Sequence, residues 1–535
     1  MDLLISFIPV VVMIVAIVGF KMRGDIAGCI GWVLTVIIAF AIFNTSLEVS
    51  LLATLKGALA SMAITGMGFF ALLQITFMQE TGALARAIVA IKTLAASDKP
   101  TQIMLLNVVM GTGLVSVGAT PAIILPPIML GLGYSIGMSI ALPCIGYDSL
   151  CTFAMLAAPV VALSDILAGA GFTVNGAAPT VAYCAQYFTN YLPVITPCIA
   201  FSMLFMCGGA KLLKQGIIPA LITGFGMGGT AWVISRIGFG VVLTGVMSAA
   251  VTFCIMFVYM KIRKIPLVDR SCLSEEDLEV EKTMPLWKAL SPWALLIFFC
   301  VITNFVGPLY DLLYKGPLEM RIILWPGDSG QPMRVFWQAY FWVLVSTLLG
   351  SLIIKPKAGA WGTILKKWNK RWLPPTLSSI VYFCIAYVMM FSAYAPDPAN
   401  GGAWAMVDPS KNIISLWANS AAAAFGWFYP IANGFLGLLA GFVTGSEAST
   451  VALFAKYNLI SAELLGLNPI VVIASGGVAA GLASVVTPVK LQQAAASLDA
   501  VGEEGAVLRT VLPYAVVLVT VSVILSQIFA VTITV

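Results

Sequence analysis

The sequence predicts an all-α polytopic membrane protein whose two halves each carry a broken, hairpin-like helical region. Three observations predict it. Of 535 residues, 60% are hydrophobic and 10% charged, against about 25% charged in soluble domains. Apolar runs of about twenty residues recur from end to end, each long enough to cross a ~30 Å hydrocarbon core. Two further apolar regions, 101–161 and 427–497, are interrupted by glycine and proline. The runs are continuous rather than alternating, which excludes a β-barrel.

In chain order, runs at 3–20, 26–43 and 58–78 come first. Lys21 and Arg23 follow the opening run; a cleaved leader carries its charge ahead of the apolar stretch, so this run is expected to stay as the first span. "LARAIVAIKTLAA" (84–96) is amphipathic with two basic residues and is expected to lie along the inner membrane surface. The first broken region follows, cut by Pro121, Pro126, Pro127, Pro143 and Pro159. Runs 188–210 and 237–260 complete an N-terminal half, 1–260.

Residues 261–290 read as a charged cytoplasmic linker, with Lys261, Arg263, Lys264 and Arg270 ahead of Glu275, Glu276, Asp277 and Glu279. The C-terminal half, 291–535, opens with a short run at 293–306 and a mixed-charge loop at 307–334, expected outside. Run 335–354 then leads into the basic residues Lys355, Lys357, Lys366, Lys367, Lys370 and Arg371. Run 376–394, the second broken region and run 511–532 finish the chain. Basic residues beside spans mark cytoplasmic loops. This places the linker inside and the N-terminus outside. The net charge of +5 is used in orienting the chain and implies no nucleic-acid partner. Ten cysteines stand singly with no C-x-x-C pair, so they read as core hydrophobes rather than disulfides or metal ligands.

The broken regions resemble each other. Gly113-Leu114-Val115-Ser116 parallels Gly441-Phe442-Val443-Thr444, Leu132-Gly133-Tyr134 parallels Leu465-Gly466-Leu467, and the regions close on Pro159 and Pro488. Paired interrupted segments in matching halves point to the binding site of a secondary transporter. Non-helical backbone is tolerated at membrane depth only where protein buries it or it lines a cavity.

Ionisable groups in the apolar regions are Glu80, Asp148, Asp165, Glu447, Lys490 and Asp499. A charge at the bilayer centre costs about 2.5–3.5 kcal/mol on insertion scales, so such groups face a bundle interior. Glu447 and Lys490 adjoin helix breaks and are read as functional; Asp148 reads equally as a helix cap. Glu80, Asp165 and Asp499 are read as lying near membrane ends. Ser116, Thr120, Thr444, Ser446, Ser449, Thr450, Ser484 and Thr487 supply hydroxyls at the breaks, with Gly445 among them. A half-helix N-terminus there suits a carboxylate; the alternative is that the small residues only allow close helix packing.

There is no histidine, the usual neutral-pH proton switch. Proton coupling would then fall to a buried carboxylate, first of all Glu447; sodium held by hydroxyl and carbonyl oxygens is the alternative. Lys490 is a fixed cation, paired with Glu447 or Asp148 or docking the substrate's negative end. No cofactor is expected. The chain lacks a Gly-x-x-x-x-Gly-Lys-[Ser/Thr] loop, and no histidine, paired-acid or metal-ligand pattern supports a membrane-embedded enzyme.

"ALLQITFMQETGALARAIVAI", "GATPAIILPPIMLGLGYSIGMSIALPCIG" and "GFVTGSEASTVALFA" with "ASGGVAAGLASVVTP" together resemble the lactate permease family. The resemblance implies symport of lactate, glycolate or a similar small organic anion with protons across the cytoplasmic (inner) membrane. It also implies an ion-transporter-like fold of two inverted-topology repeats with hairpin tips, with a homodimer left open. Thr444, Gly445, Ser446, Glu447, Ser449 and Thr450 would line the second-half site. Two departures stand out: the first half has "SVGATP" without an acid, and Asp148 and Lys490 replace uncharged polar residues. These leave a sulfonate or larger carboxylate open as substrate.

Overall fold

A computed structural model describes residues 2–533 except 21, 23, 96, 119, 239, 316, 329, 499, 501 and 502. Lys21, Arg23 and Asp499 therefore lie outside the described residues. The described chain is helical nearly throughout. Six helices are long and apolar enough to cross a membrane, or eight if each of two sharply bent pairs is one span.

Two of the sequence expectations change here. Run 3–20 is not one helix: Asp2–Ser6 is followed by Ile8–Ile14, with Pro9 in its first turn, and then by a π-helical turn at Val15–Gly19. Run 188–210 is only the first arm of Leu192–Ile237, which breaks at Gly208 and Gly209, where φ reaches +60°. Beyond the break the chain folds back on itself. A methyl group at Gly228 would meet Thr196 Oγ1 at 2.4 Å, and one at Gly216 would meet Leu204 at 2.5 Å. Thr196 ties the arms by donating to the Gly224 carbonyl at 2.8 Å. The sequence reading missed this second arm.

The broken regions share an order of elements. In the first, Lys99–Ile103, the π-helical Met104–Met110 and Gly111–Ser116 lead to a break. Pro121–Gly131 and Ile136–Gly146 follow, then a 3-10 turn at Tyr147–Phe153 and the helix ending at Gly169. In the second, Tyr429–Thr444 breaks at Gly445 (φ +65°), and Glu447–Leu465 and Pro469–Ala483 follow. A 3-10 turn at Ser484–Val486 then leads to Pro488–Ala496. Ser135 and Asn468 cap the corresponding helices by accepting from backbone N–H groups, which satisfies donors that would otherwise be orphaned. The arms of the second region pack at backbone distance. Methyl groups at Gly437 and Gly441 would both lie 2.2 Å from carbonyl oxygens, those of Gly476 and Ala480.

The amphipathic stretch forms helix Ala83–Lys92. The linker covers it: Lys92 pairs with Asp277 at 2.8 Å and Arg86 with Glu281 at 3.3 Å. Ser274 and Asp277 form a capping box that starts the linker helix Glu275–Thr283, orienting these acids. On the opposite face, the hairpin pairing Met320–Ile322 with Gln331–Met333 sits beside a second, pairing Tyr394–Asp397 with Ala403–Met406. Trp325 and Trp404 stack at 3.7 Å between them. Beneath, Lys56 of helix Leu47–Ala60 forms a buried ion pair with Asp328. Glu80 pairs with Lys367, and Asp165 with Arg334.

Candidate functional site

The sharpest concentration of buried polar chemistry lies where the second region's breaks meet the 3-10 turn of the first. Gly445 takes a left-handed conformation that closes Tyr429–Thr444, and Ser446 caps the next helix by accepting from Ser449 N at 3.2 Å. Glu447 thereby becomes the first residue of a helix, where the macrodipole favours an anion. It is 2% exposed. Its Oε1 accepts a hydrogen bond from the Thr152 hydroxyl at 2.8 Å. Gly481 leaves room for this carboxylate: a methyl group there would lie 2.5 Å from Glu447 Oε2 and 3.3 Å from Cys151 Cβ.

A second cluster adjoins the first. Asp148, also 2% exposed, accepts from Ser484 at 2.9 Å. Lys490 donates to Ser484 at 2.6 Å and lies 3.6 Å from Asp148 Oδ1, with its ammonium 5.0 Å from the Tyr147 ring centre. Of the partners considered for Lys490, the structure selects Asp148. Asp148 is thus an ion-pair partner rather than only a cap. Thr487 donates to the Gly441 carbonyl at 3.2 Å, tying the two breaks of the second region together. Thr450 donates to the Ser446 carbonyl at 3.1 Å. The side chain of Thr444 lies outside the described residues.

Ser116 lies beside the same 3-10 turn: a methyl group at Gly245 would meet both the Ser116 hydroxyl and the Phe153 carbonyl, and the Thr112 and Ser149 hydroxyls are 2.9 Å apart. Ser116 donates back to the Thr112 carbonyl at 2.7 Å and rests against Gly245, and the turn at Gly118 rests on Met67 and Ala71. The first half contributes Tyr147–Phe153, and sequence reasoning overlooked Thr152. Ordinary helical geometry fails there, with Leu150 outside the helical region and Met155, Leu156 and Ala157 left-handed at φ 50°, 57° and 60°.

The arrangement can hold a proton on a buried carboxylate, fix one ion pair between the halves and present hydroxyls to a small anion. A family model described as L-lactate permease matches residues 2–533. The L-lactate permease of Streptococcus iniae is 23% identical over 486 residues, covering 87% of this chain and 92% of that protein. The L-lactate permease of Bacillus subtilis strain 168 is 21% identical over 554 residues, covering 95% and 92%. Among solved structures, the Alcanivorax borkumensis YdaH transporter aligns with TM-score 0.42 and 14% identity, over 89% of this chain and 87% of that one. Neisseria gonorrhoeae MtrF aligns with TM-score 0.43 and 14% identity, over 89% and 83%.

Proposed function

Because the chain belongs to the L-lactate permease family, we propose that this multi-pass membrane transporter carries lactate, glycolate or a similar 2-hydroxy monocarboxylate across the cytoplasmic membrane with a proton on Glu447. One observation carries the reading: a buried carboxylate opens a broken helix of one half and receives its hydrogen bond from Thr152 of the other. A carboxylate without a cationic partner is accommodated at depth by taking a proton. A rearrangement that separates the halves would expose that proton to one side.

The ion pair supports a small, singly charged cargo. Lys490 is engaged by Asp148 and Ser484, so among the described residues no spare ammonium stands at this place for a second carboxylate. Hydroxyls and the first turn of Glu447–Leu465 can meet a single one.

The test is uptake of labelled L-lactate into proteoliposomes after a pH jump. Wild-type protein should accumulate it, and Glu447→Gln should abolish accumulation while retaining lactate–lactate exchange. Normal accumulation by Glu447→Gln removes Glu447 as the proton carrier. Accumulation that follows a sodium gradient and ignores pH removes proton coupling.

A further inference from the structure

Three residues past Thr152, the chain makes the left-handed turn Met155-Leu156-Ala157, a conformation that L side chains avoid. Such strain persists only where the surroundings fix it, and it concentrates at functional elements. One side of the turn is continuous with the Glu447 site through Thr152. The other side borders a cleft whose walls include Leu156, Val161, Val242, Asn304, Trp337 and Gln338.

This cleft has the chemistry of a carboxylate site. Trp337 is 7% exposed, and its indole N–H finds no hydrogen-bond acceptor among the described residues. A buried donor left unpaired costs free energy that an acceptor from a ligand would recover. Trp337 cannot easily turn away, because it packs edge-on against Tyr314 at 4.7 Å. Gln338 adds a side-chain amide, the Asn304 amide is held by the Cys300 carbonyl at 2.9 Å, and Leu156, Val161 and Val242 offer an apolar wall to a short carbon chain.

The cleft's position gives it a direction. Asn304 lies at the end of Ser291–Phe305, which starts at the linker, and Gln338 lies just before Ala339–Ile354, which ends at Lys355. Both helices place the cleft toward the face opposite the linker.

We propose that this cleft is a vestibule that binds a small monocarboxylate on the face opposite the linker, with Trp337 and Gln338 as its donors. The Met155–Ala157 turn is the partition between it and the Glu447 site. The inference rests on the monocarboxylate reading above.

The experiment uses Trp337→Phe, which keeps the ring and removes the N–H, with Gln338→Leu as a second variant at a half-buried position. Transport of L-lactate is measured in proteoliposomes of known orientation, with cargo offered from either side. Losing one donor should raise KM about five- to tenfold for cargo offered on the vestibule side, with KM from the linker side and the melting temperature unchanged. An unchanged KM from both sides in both variants overturns the vestibule. An equal rise from both sides, with a lower melting temperature, overturns it too and makes Trp337 a structural residue. Absence of any L-lactate transport by wild-type protein is a different failure: it sinks the monocarboxylate reading and the vestibule with it.

Discussion

Lys490 shows how one residue's role is decided by what it leaves behind. Its ammonium lies 3.6 Å from a carboxylate that is itself 2% exposed. Removing one partner of a buried pair strands the other, typically at about 3–5 kcal/mol, whereas removing both can be nearly neutral. Lys490→Ala should therefore lower the melting temperature markedly, and adding Asp148→Asn should restore most of the loss. If the double variant melts no higher than the single one, the pair is not the source of the effect. At this scale the sequence was partly legible. The cost of burying charge singled out Glu447, Lys490 and Asp148. Hydropathy could not tell which acid Lys490 would meet, because that pairing joins positions hundreds of residues apart. Thr152 was invisible for a related reason: a hydroxyl on a 3-10 turn carries no signature until its partner is known.

Helices show the same division. Glycine and proline marked both broken regions correctly, because these residues weaken or end a helix whatever surrounds them. The pairing of the breaks was not legible. The sequence parallel set "GLVS" against "GFVT" and so suggested that 113–121 would meet 441–450. The hydrogen bonds that Glu447 and Ser484 make to the first half run to Tyr147–Phe153, while Ser116 donates to the Thr112 carbonyl behind it. Run 211–237 was missed because Lys211 and Lys214 stand just past a Gly–Gly break, where a hydropathy window ends a span. The contact between Tyr429–Thr444 and Pro469–Ala483 tests how tightly these elements are built. A methyl group at Gly437 would lie 2.2 Å from the Gly476 carbonyl oxygen, and no side-chain adjustment relieves a clash with backbone. Gly437→Ala should destabilise the protein by about 1–3 kcal/mol, the usual cost of overpacking. Thermal unfolding in detergent checks this, and an unchanged melting temperature would mean that the helices separate freely.

Across the whole molecule, composition and the continuous apolar runs together established a helical membrane protein: 60% hydrophobic content matches lipid as solvent, and unbroken runs of about twenty residues match helices rather than barrel strands. Its orientation rests on basic residues beside spans. We therefore expect the exposed linker position Glu276 to face the cytoplasm and Met320, in the far hairpin, to face outside. Cysteine placed at each, with Cys254 and Cys272 replaced by serine, gives the check. An impermeant maleimide added to intact cells should label the position-320 variant and spare the position-276 variant; the reverse pattern inverts the topology.

The ion pair between Lys56 and Asp328 bears on how such a chain comes into being. Lys56 leaves the ribosome more than 250 residues before its counter-ion, so an early helix must wait in the bilayer with an unneutralised ammonium. The N-terminal part made alone should be a poor membrane tenant, and assembly is completed only when the later hairpin that carries Asp328 arrives to neutralise it.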